Sequence, residues 1–265
     1  MAALNEITPA QLMRLIGTPE CPVIVDVCID DDFSADPFLV PTAFRHPHTD
    51  IAGLKERLTR SKIVCVCQKG LKLSHGVAAY LRADGYDAQV LEGGNHAWRA
   101  AGLPRLDVKK VPGSTWVTRH RPKIDRIACP WLIRRFVDPN ATFLFVPPAT
   151  VMDVAARFDA TPFDIEGVEW SHEGEDCTFD MMIKTFGLSH PALDALATIV
   201  RAADTNQHAL APQAAGLLAI SVGLSRMFRE DNAQLNAGMI VYDALYRWAR
   251  DGQNEGHDWP SRHGT

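Results

Sequence analysis

The stretch that most limits how this chain can fold runs from Ile63 to Leu81. Ile63-Val64-Cys65-Val66 is a short run of β-branched and small apolar residues, which reads as a buried strand. At the other end Val77, Ala78 and Leu81 fall on one face of a helix, with Ser74 as its expected N-cap. Between them lies a tight loop that opens with Cys67 and contains Gly70. A cysteine at such a turn faces the free N–H groups of the loop and of the helix start, which favour negative charge at that place. Lys69 and Lys72 add positive charge in the same loop. This is the pattern of a reactive cysteine.

Cys65 and Cys67 stand two apart, so both could be small core residues on one face of the strand. Cys65 is read that way, with a resolving thiol as the alternative. Cys67 is assigned as the nucleophile, because the loop after it is built to hold an anion and core strands have no such loop. Gln68, Lys69, Gly70, Leu71, Lys72, Leu73 and Ser74 are the expected anion-binding residues around it.

The flanks of this loop carry a resemblance. Val23-Ile24-Val25-Asp26-Val27, the loop from Cys67 to Ser74, and Leu91-Glu92-Gly93-Gly94-Asn95-His96-Ala97-Trp98 with Gly102-Leu103-Pro104 together resemble the rhodanese family over about residues 4 to 106. The resemblance implies a parallel α/β sheet flanked by helices, and a sulfurtransferase that carries sulfane sulfur as a persulfide on Cys67. Two departures stand out. Cys28 occupies the place where many members carry arginine, and the loop from Cys67 to Leu73 is seven residues, one longer than usual. The longer loop is similar to that of the phosphatase-like and arsenate-reducing members, but Leu73 stands where they have arginine, which argues against phosphatase chemistry.

Along the rest of the first half, Thr8 and Pro9 open an expected helix to Ile16, and a strand follows at Val23 to Val27. Asp30-Asp31-Asp32 reads as a solvated loop, His46 and His48 as exposed loop residues, and Ile51 to Leu58 as a helix. His96 could line the mouth of the loop, and Trp98 is assigned to packing. Strands alternating with helices argue a parallel sheet.

A chain of 265 residues accommodates two modest domains. The cluster Asp107, Lys109, Lys110, Pro112, Gly113 and Ser114 marks a linker, which divides the chain into 1–106, a linker 107–115, a second domain 116–252 and a polar tail 253–265. The formal charge of −5 supplies no general attraction for nucleic acid or an anionic membrane. The longest apolar run, Ala214 to Leu224, is too short to span a bilayer, and no secretory signal is expected. Six cysteines in a chain this long do not make a disulfide framework, so the expected location is the reducing cytoplasm. The oligomeric state is not legible.

The second half reads as a mostly helical α+β domain. Helices are expected at Asp125 to Phe136 (bent at Pro130 and stopped by Asp138-Pro139), Val151 to Phe158, Thr178 to Phe186 and Pro191 to Ala203, the last capped by Ser189. A strand is expected at Thr142 to Val146, a nearly wholly apolar helix at Pro212 to Phe228, which implies burial among other helices, and a one-faced helix at Asn232 to Arg250.

Two clusters in this half could carry chemistry. Arg119, His120, Arg121, Lys123, Arg126, Arg134 and Arg135 form a basic group, from which Arg126 and Arg134 are assigned to an oxyanion; a solvated helix face is the alternative. Glu169, His172, Glu173, Glu175, Asp176, Cys177, Asp180 and Asp204 form the other. From it His172, Asp180 and Asp204 are assigned to one divalent metal, with acidic capping of the Thr178 helix as the alternative.

This half has its own resemblance. Trp116 through Arg119, Ile124-Asp125-Arg126, Cys129 through Phe136, His172, Cys177-Thr178-Phe179, Asp204 and Gly238 through Tyr246 resemble the C-terminal domain of bacterial chromate-resistance proteins over about residues 115 to 250. It implies an oxyanion-stress context. In regulatory members of that family a different N-terminal region precedes the domain. The expected function is therefore sulfane-sulfur transfer from a small-molecule donor to a thiol acceptor, with no cofactor needed for the transfer. Two alternatives remain open at this point: a chromate or arsenate reductase or binder using Cys67, and a non-enzymatic oxyanion sensor. The seven-residue loop is expected to accept a tetrahedral oxyanion.

Overall fold

The computed structural model describes residues 4–58 and 62–256. In the first half β1 (Glu6–Ile7), β2 (Val23–Asp26), β3 (Phe38–Leu39), β4 (Phe44–Arg45), β5 (Lys62–Val66), β6 (Asp87–Leu91) and β7 (Leu106–Asp107) are interleaved with helices. These are α1 (Pro9–Leu15), α2 (Asp30–Ala35), α3 (Ile51–Arg57), α4 (Lys72–Ala83) and α5 (Gly94–Ala100). Five strands form a parallel sheet in the order β1-β6-β5-β2-β4, while β3 and β7 pair antiparallel beside it. The α/β sheet flanked by helices is present as the sequence implied.

Period-two alternation explains why β5 sits at the centre. Ile63, Cys65 and Cys67 face a core with Val77, Ala78 and Leu81 of α4. Val64 and Val66 face the opposite core, with Leu12, Ile16 and Trp98. Cys65 is fully buried, as its core assignment required, and the Trp98 indole packs inside with its N–H donated to the Pro104 carbonyl.

The second half contains β8 (Thr115–Arg119), β9 (Thr142–Val146) and β10 (Thr161–Pro162), a parallel sheet in the order β10-β8-β9. Around it lie α6 (Asp125–Leu132), α7 (Val151–Phe158), α8 (Thr178–Phe186), α9 (Pro191–Asp204), α10 (Gln213–Met227) and α11 (Asp231–Arg247). Pro130 lies inside α6, and the chain continues from Leu132 into a π-helical turn, Ile133–Val137, before Asp138 ends it. Trp131 anchors the interior, ringed by Phe136, Phe179, Tyr242 and Tyr246. The two halves share one hydrophobic cluster, in which Leu12 and Ile16 join Trp131 and Tyr246. The Thr42 N–H donates to the Phe136 carbonyl across this contact, and Arg250 donates to the Arg14 carbonyl.

Several local expectations are corrected. Asp30, Asp31 and Asp32 form the first turn of α2, where carboxylates meet the positive end of the helix dipole. His46 is buried, with Nε2 2.7 Å from the Asp50 carbonyl. Ser189 does not cap α9; His190 holds that position, and the Ser189 hydroxyl bonds the Asp194 carboxylate instead. Helix α10 is not wholly buried. Ala214, Leu217, Ser221 and Ser225 are buried toward α9 and α11 and Leu218 packs beside them, while Ile220, Val222 and Met227 are exposed. Among the described residues no helix is long and apolar enough to cross a membrane. Most of the polar tail, from residue 257 on, lies outside the described residues.

Candidate functional site

Cys67 follows the last residue of β5, at the C-terminal edge of the parallel sheet, where α/β folds place their ligands. Helix α4 begins at Lys72 with Leu71 as its N-cap. Ser74 is therefore not the N-cap: it lies inside the first turn, fully buried, with Oγ donating to the Leu71 carbonyl at 3.1 Å. The same oxygen is 3.1 Å from Cys67 Sγ. A hydroxyl has one proton and two lone pairs, so Ser74 can accept from the Cys67 thiol or, after rotation, donate to its thiolate. Leu73 likewise belongs to the helix, so the free loop is Gln68 to Leu71, shorter than the seven residues read from the sequence.

The loop is locked from below. The Asn95 N–H donates to the Cys67 carbonyl and the His96 N–H to the Gln68 carbonyl, both at 3.0 Å. This contact explains two of the glycines. Gly70 has φ +65°, and a Cβ there would meet the Leu91 carbonyl oxygen at 2.6 Å. A Cβ on Gly94 would lie 2.0 Å from the Cys67 carbonyl oxygen. Lys69, Lys72 and His96 are exposed around the loop, and Gln68 and Leu73 are half-buried.

Buried Asp26 organises the neighbouring strand end. Its carboxylate accepts from the Cys28 N–H at 3.0 Å and from the Asn95 side-chain nitrogen at 2.8 Å. Cys28 Sγ lies 3.6 Å from both groups and borders a groove of about 280 Å³ with Arg45, His46 and His48. Burial, then the Asp26 charge, pushes the Cys28 thiol well up, and burial pushes Cys65 up to about 12. Both are held protonated at neutral pH.

Arg126 and Arg134 find their partners in the second half, not in the Cys67 loop. Arg126 Nε sits 3.1 Å from Asp164 Oδ2, and its Nη1 donates to the His120 carbonyl. Arg134 donates to the Ala141 carbonyl and lies over the Phe143 ring, beside a cleft of about 450 Å³ between the two halves.

The expected metal set is also rearranged. Asp180 is committed elsewhere: it receives Arg201 Nη1 at 2.8 Å and caps α8 by accepting the Cys177 N–H at 3.1 Å. His172 instead faces Asp125, Asp164 and Asp204, with Nε2 3.5, 3.5 and 3.2 Å from their carboxylate oxygens. Asp125, Asp164 and His172 present ligand atoms within 4.8 Å of one another, a geometry that could hold a metal ion. Hydrogen bonding to Asp125 and Asp164 raises His172 to about 10. Burial, with Asp125 and Asp164 beside it, raises Asp204 to about 7.

Asp125 and Asp164 escaped the sequence reading because they come from distant segments. Asp125 opens α6 and accepts the Thr178 N–H at 2.6 Å. Asp164 has φ +51° and accepts the Thr178 hydroxyl at 3.1 Å. Ile124, just before Asp125, has φ +33°, a strained value for a β-branched residue. The one available signal was Asp125 itself, which sits in the Ile124-Asp125-Arg126 segment that carries the second resemblance.

Known proteins resemble different parts of this chain. Among solved structures, a rhodanese-related protein from Thermoplasma volcanium is 19% identical with a TM-score of 0.34, covering 39% of this chain and 98% of its own. A rhodanese-like domain protein from Staphylococcus aureus is 30% identical with a TM-score of 0.32, covering 36% of this chain and 91% of its own. Protein ChrB of Cupriavidus metallidurans is 34% identical over 148 residues, 56% of this chain. That match spans 44% of ChrB, less than half its length. The family described as ChrB, C-terminal domain, matches residues 116–249, which contain Asp125, Asp164, His172 and Asp204, and this chain belongs to that family.

Proposed function

We propose that the chain is a sulfurtransferase in which Cys67 carries the sulfur. The observation that carries this reading is the position of Cys67 Sγ, 3.1 Å from Ser74 Oγ in the first turn of a twelve-residue helix. The first N–H groups of α4 lack intrahelical partners, and the helix dipole adds to their attraction for an anion. The Cys67 thiolate attacks the outer sulfur of a thiosulfate-like donor. A Cys67–sulfur bond forms, the donor's S–S bond breaks, and sulfite leaves with the bonding pair. An acceptor thiolate, or cyanide in the assay, then takes the outer sulfur and returns Cys67 as thiolate.

Gly70 and Gly94 let the loop pack against the start of α5, so its backbone donors keep their positions through both steps. The transfer needs no cofactor. All six cysteines are free, which suits a reducing cytoplasm. The likeness of the second half to chromate-resistance proteins supports an oxyanion-stress setting for this chemistry.

Turnover with thiosulfate and cyanide tests the proposal, alongside intact-mass measurement of the loaded protein. One added sulfur on Cys67, absent in Cys67→Ser, is the expected result. Thiocyanate production that persists in Cys67→Ser, or sulfur mapped to Cys65, would overturn it.

A further inference from the structure

We propose that Asp125, Asp164 and His172 bind a divalent first-row transition ion, with Asp204 closing the site on the His172 side. The inference is independent of the Cys67 chemistry.

The distances point to an ion at the centre. A single Nε2–H can serve one acceptor well, yet His172 Nε2 faces three carboxylates at 3.2 to 3.5 Å. Oxygen and nitrogen ligands bound at about 2.0–2.2 Å around one ion lie roughly 3.0–3.5 Å apart when adjacent. The spacing therefore fits neighbouring ligands better than it fits three hydrogen bonds.

A second observation is independent of the clustering. Asp125 is 1% exposed, and among the described residues its Oδ1 has no hydrogen-bond partner. Its Oδ2 already takes the Thr178 N–H. A buried carboxylate oxygen left bare is costly, and a bound cation removes that cost.

Charge points the same way. Arg119 and Arg126 both approach Oδ2 of Asp164, at 3.3 and 3.1 Å, leaving its Oδ1 turned toward Thr178 Oγ1 and His172. The ion pairs found for Asp125 and Asp204 among the described residues are with His172 alone. Asp164 is met by two arginines, so it is Asp125 and Asp204 that share the one imidazole, and a dication balances these two carboxylates while the imidazole binds as a neutral ligand.

The ligand types narrow the ion. Two carboxylates and an imidazole suit Mn²⁺, Fe²⁺, Co²⁺ or Zn²⁺, while Ca²⁺ takes six to eight oxygens. Cys177 does not join the set, since its Sγ turns to Asp180 at 3.2 Å. The Arg119 and Arg126 contacts to Asp164 and the Thr178 N–H on Asp125 would orient the ligands from outside. The His172 side chain is 40% exposed, so the ion would keep a position open to water on that side.

The test uses full-length protein stripped with a chelator and titrated with MnCl₂ or ZnCl₂. Bound Mn²⁺ is read by loss of its free electron-spin signal, and Zn²⁺ by equilibrium dialysis. One ion per chain is expected. Affinity should fall at least tenfold in Asp125→Asn and in His172→Ala, and should hold in Asp180→Asn, whose carboxylate pairs with Arg201. If buried Asp125→Asn fails to fold, the half-exposed His172→Ala decides the question. No binding of either metal at millimolar concentration would overturn the assignment. So would binding that His172→Ala leaves unchanged.

Discussion

Gly94→Ala is the sharpest probe of the Cys67 loop, because one methyl group is driven into backbone that cannot yield cheaply. The new Cβ would lie 2.0 Å from the Cys67 carbonyl oxygen and 2.4 Å from the Gly70 nitrogen, where real Cβ contacts are essentially never below 3.0 Å. The loop, the helix start or both must therefore separate by at least about 1 Å, the difference between those contacts. Gly94 also has φ +59°, which costs a residue with a Cβ about 1–2 kcal/mol. Overpacking adds roughly 1–3 kcal/mol, for a total of about 2–5 kcal/mol. At about 2–4 °C per kcal/mol in domains of 150–250 residues, Tm should fall by roughly 4–20 °C. A displacement of about 1 Å at a reacting group can cost on the order of 100-fold in rate. Gly76→Ala is the matched control: Gly76 sits in α4 with no atom of the described residues within 4 Å of its added Cβ, so alanine should stabilise the helix by about 0.5–1 kcal/mol. The assays are thermal unfolding and the rate at which thiosulfate loads Cys67. Native Tm and near-native loading in Gly94→Ala would refute the account of how the loop is held.

Thiol labelling and pH offer two further checks. Cys28, Cys65, Cys129 and Cys177 all have thiols pushed up, chiefly by burial, whereas Cys67, itself buried, lies at the start of α4; iodoacetamide at pH 7.5 should therefore label folded protein at Cys67 and half-buried Cys21 before the others. Peptide mapping that finds Cys65 or Cys28 labelled as fast as Cys67 would contradict this. His190 is lowered from 6.5 by burial, which outweighs the Leu188 carbonyl and Asp194, while Arg250 lowers it further. In that range the unfolded chain binds the proton more readily, so His190 favours the folded state above about pH 6.5 and loses that contribution as pH falls. Urea unfolding between pH 8 and 5 should show a shallower acid loss in His190→Gln than in the native chain; equal slopes would refute the assignment.

The order of elements in the first half was legible because its signals are local. Period-two apolar runs mark β2 and β5, the Thr8-Pro9 cap marks α1, and the Cys67 loop lies within one short stretch. The proposed nucleophile, Cys67, was legible for the same reason: its strand, loop and helix are contiguous. The exact start of α4 was not, because Ser74 looks like a cap in sequence, while the folded loop puts the N-cap at Leu71 and lets the helix begin three residues earlier. The exposed face of α10 was equally hidden, since hydrophobicity along the chain does not say how many neighbours a helix finds. The carboxylate–histidine cluster shows the limit most clearly. By itself the sequence singled out His172 and Asp180 in its acidic stretch and Asp204 at the end of the helix that follows. Only the tertiary structure decided that Asp125 and Asp164 join His172 and Asp204 and that Asp180 turns to Arg201. The physical reason is that the ends of α6, α8 and α9 converge, bringing together residues 125, 164, 172 and 204, and no local pattern encodes such a meeting.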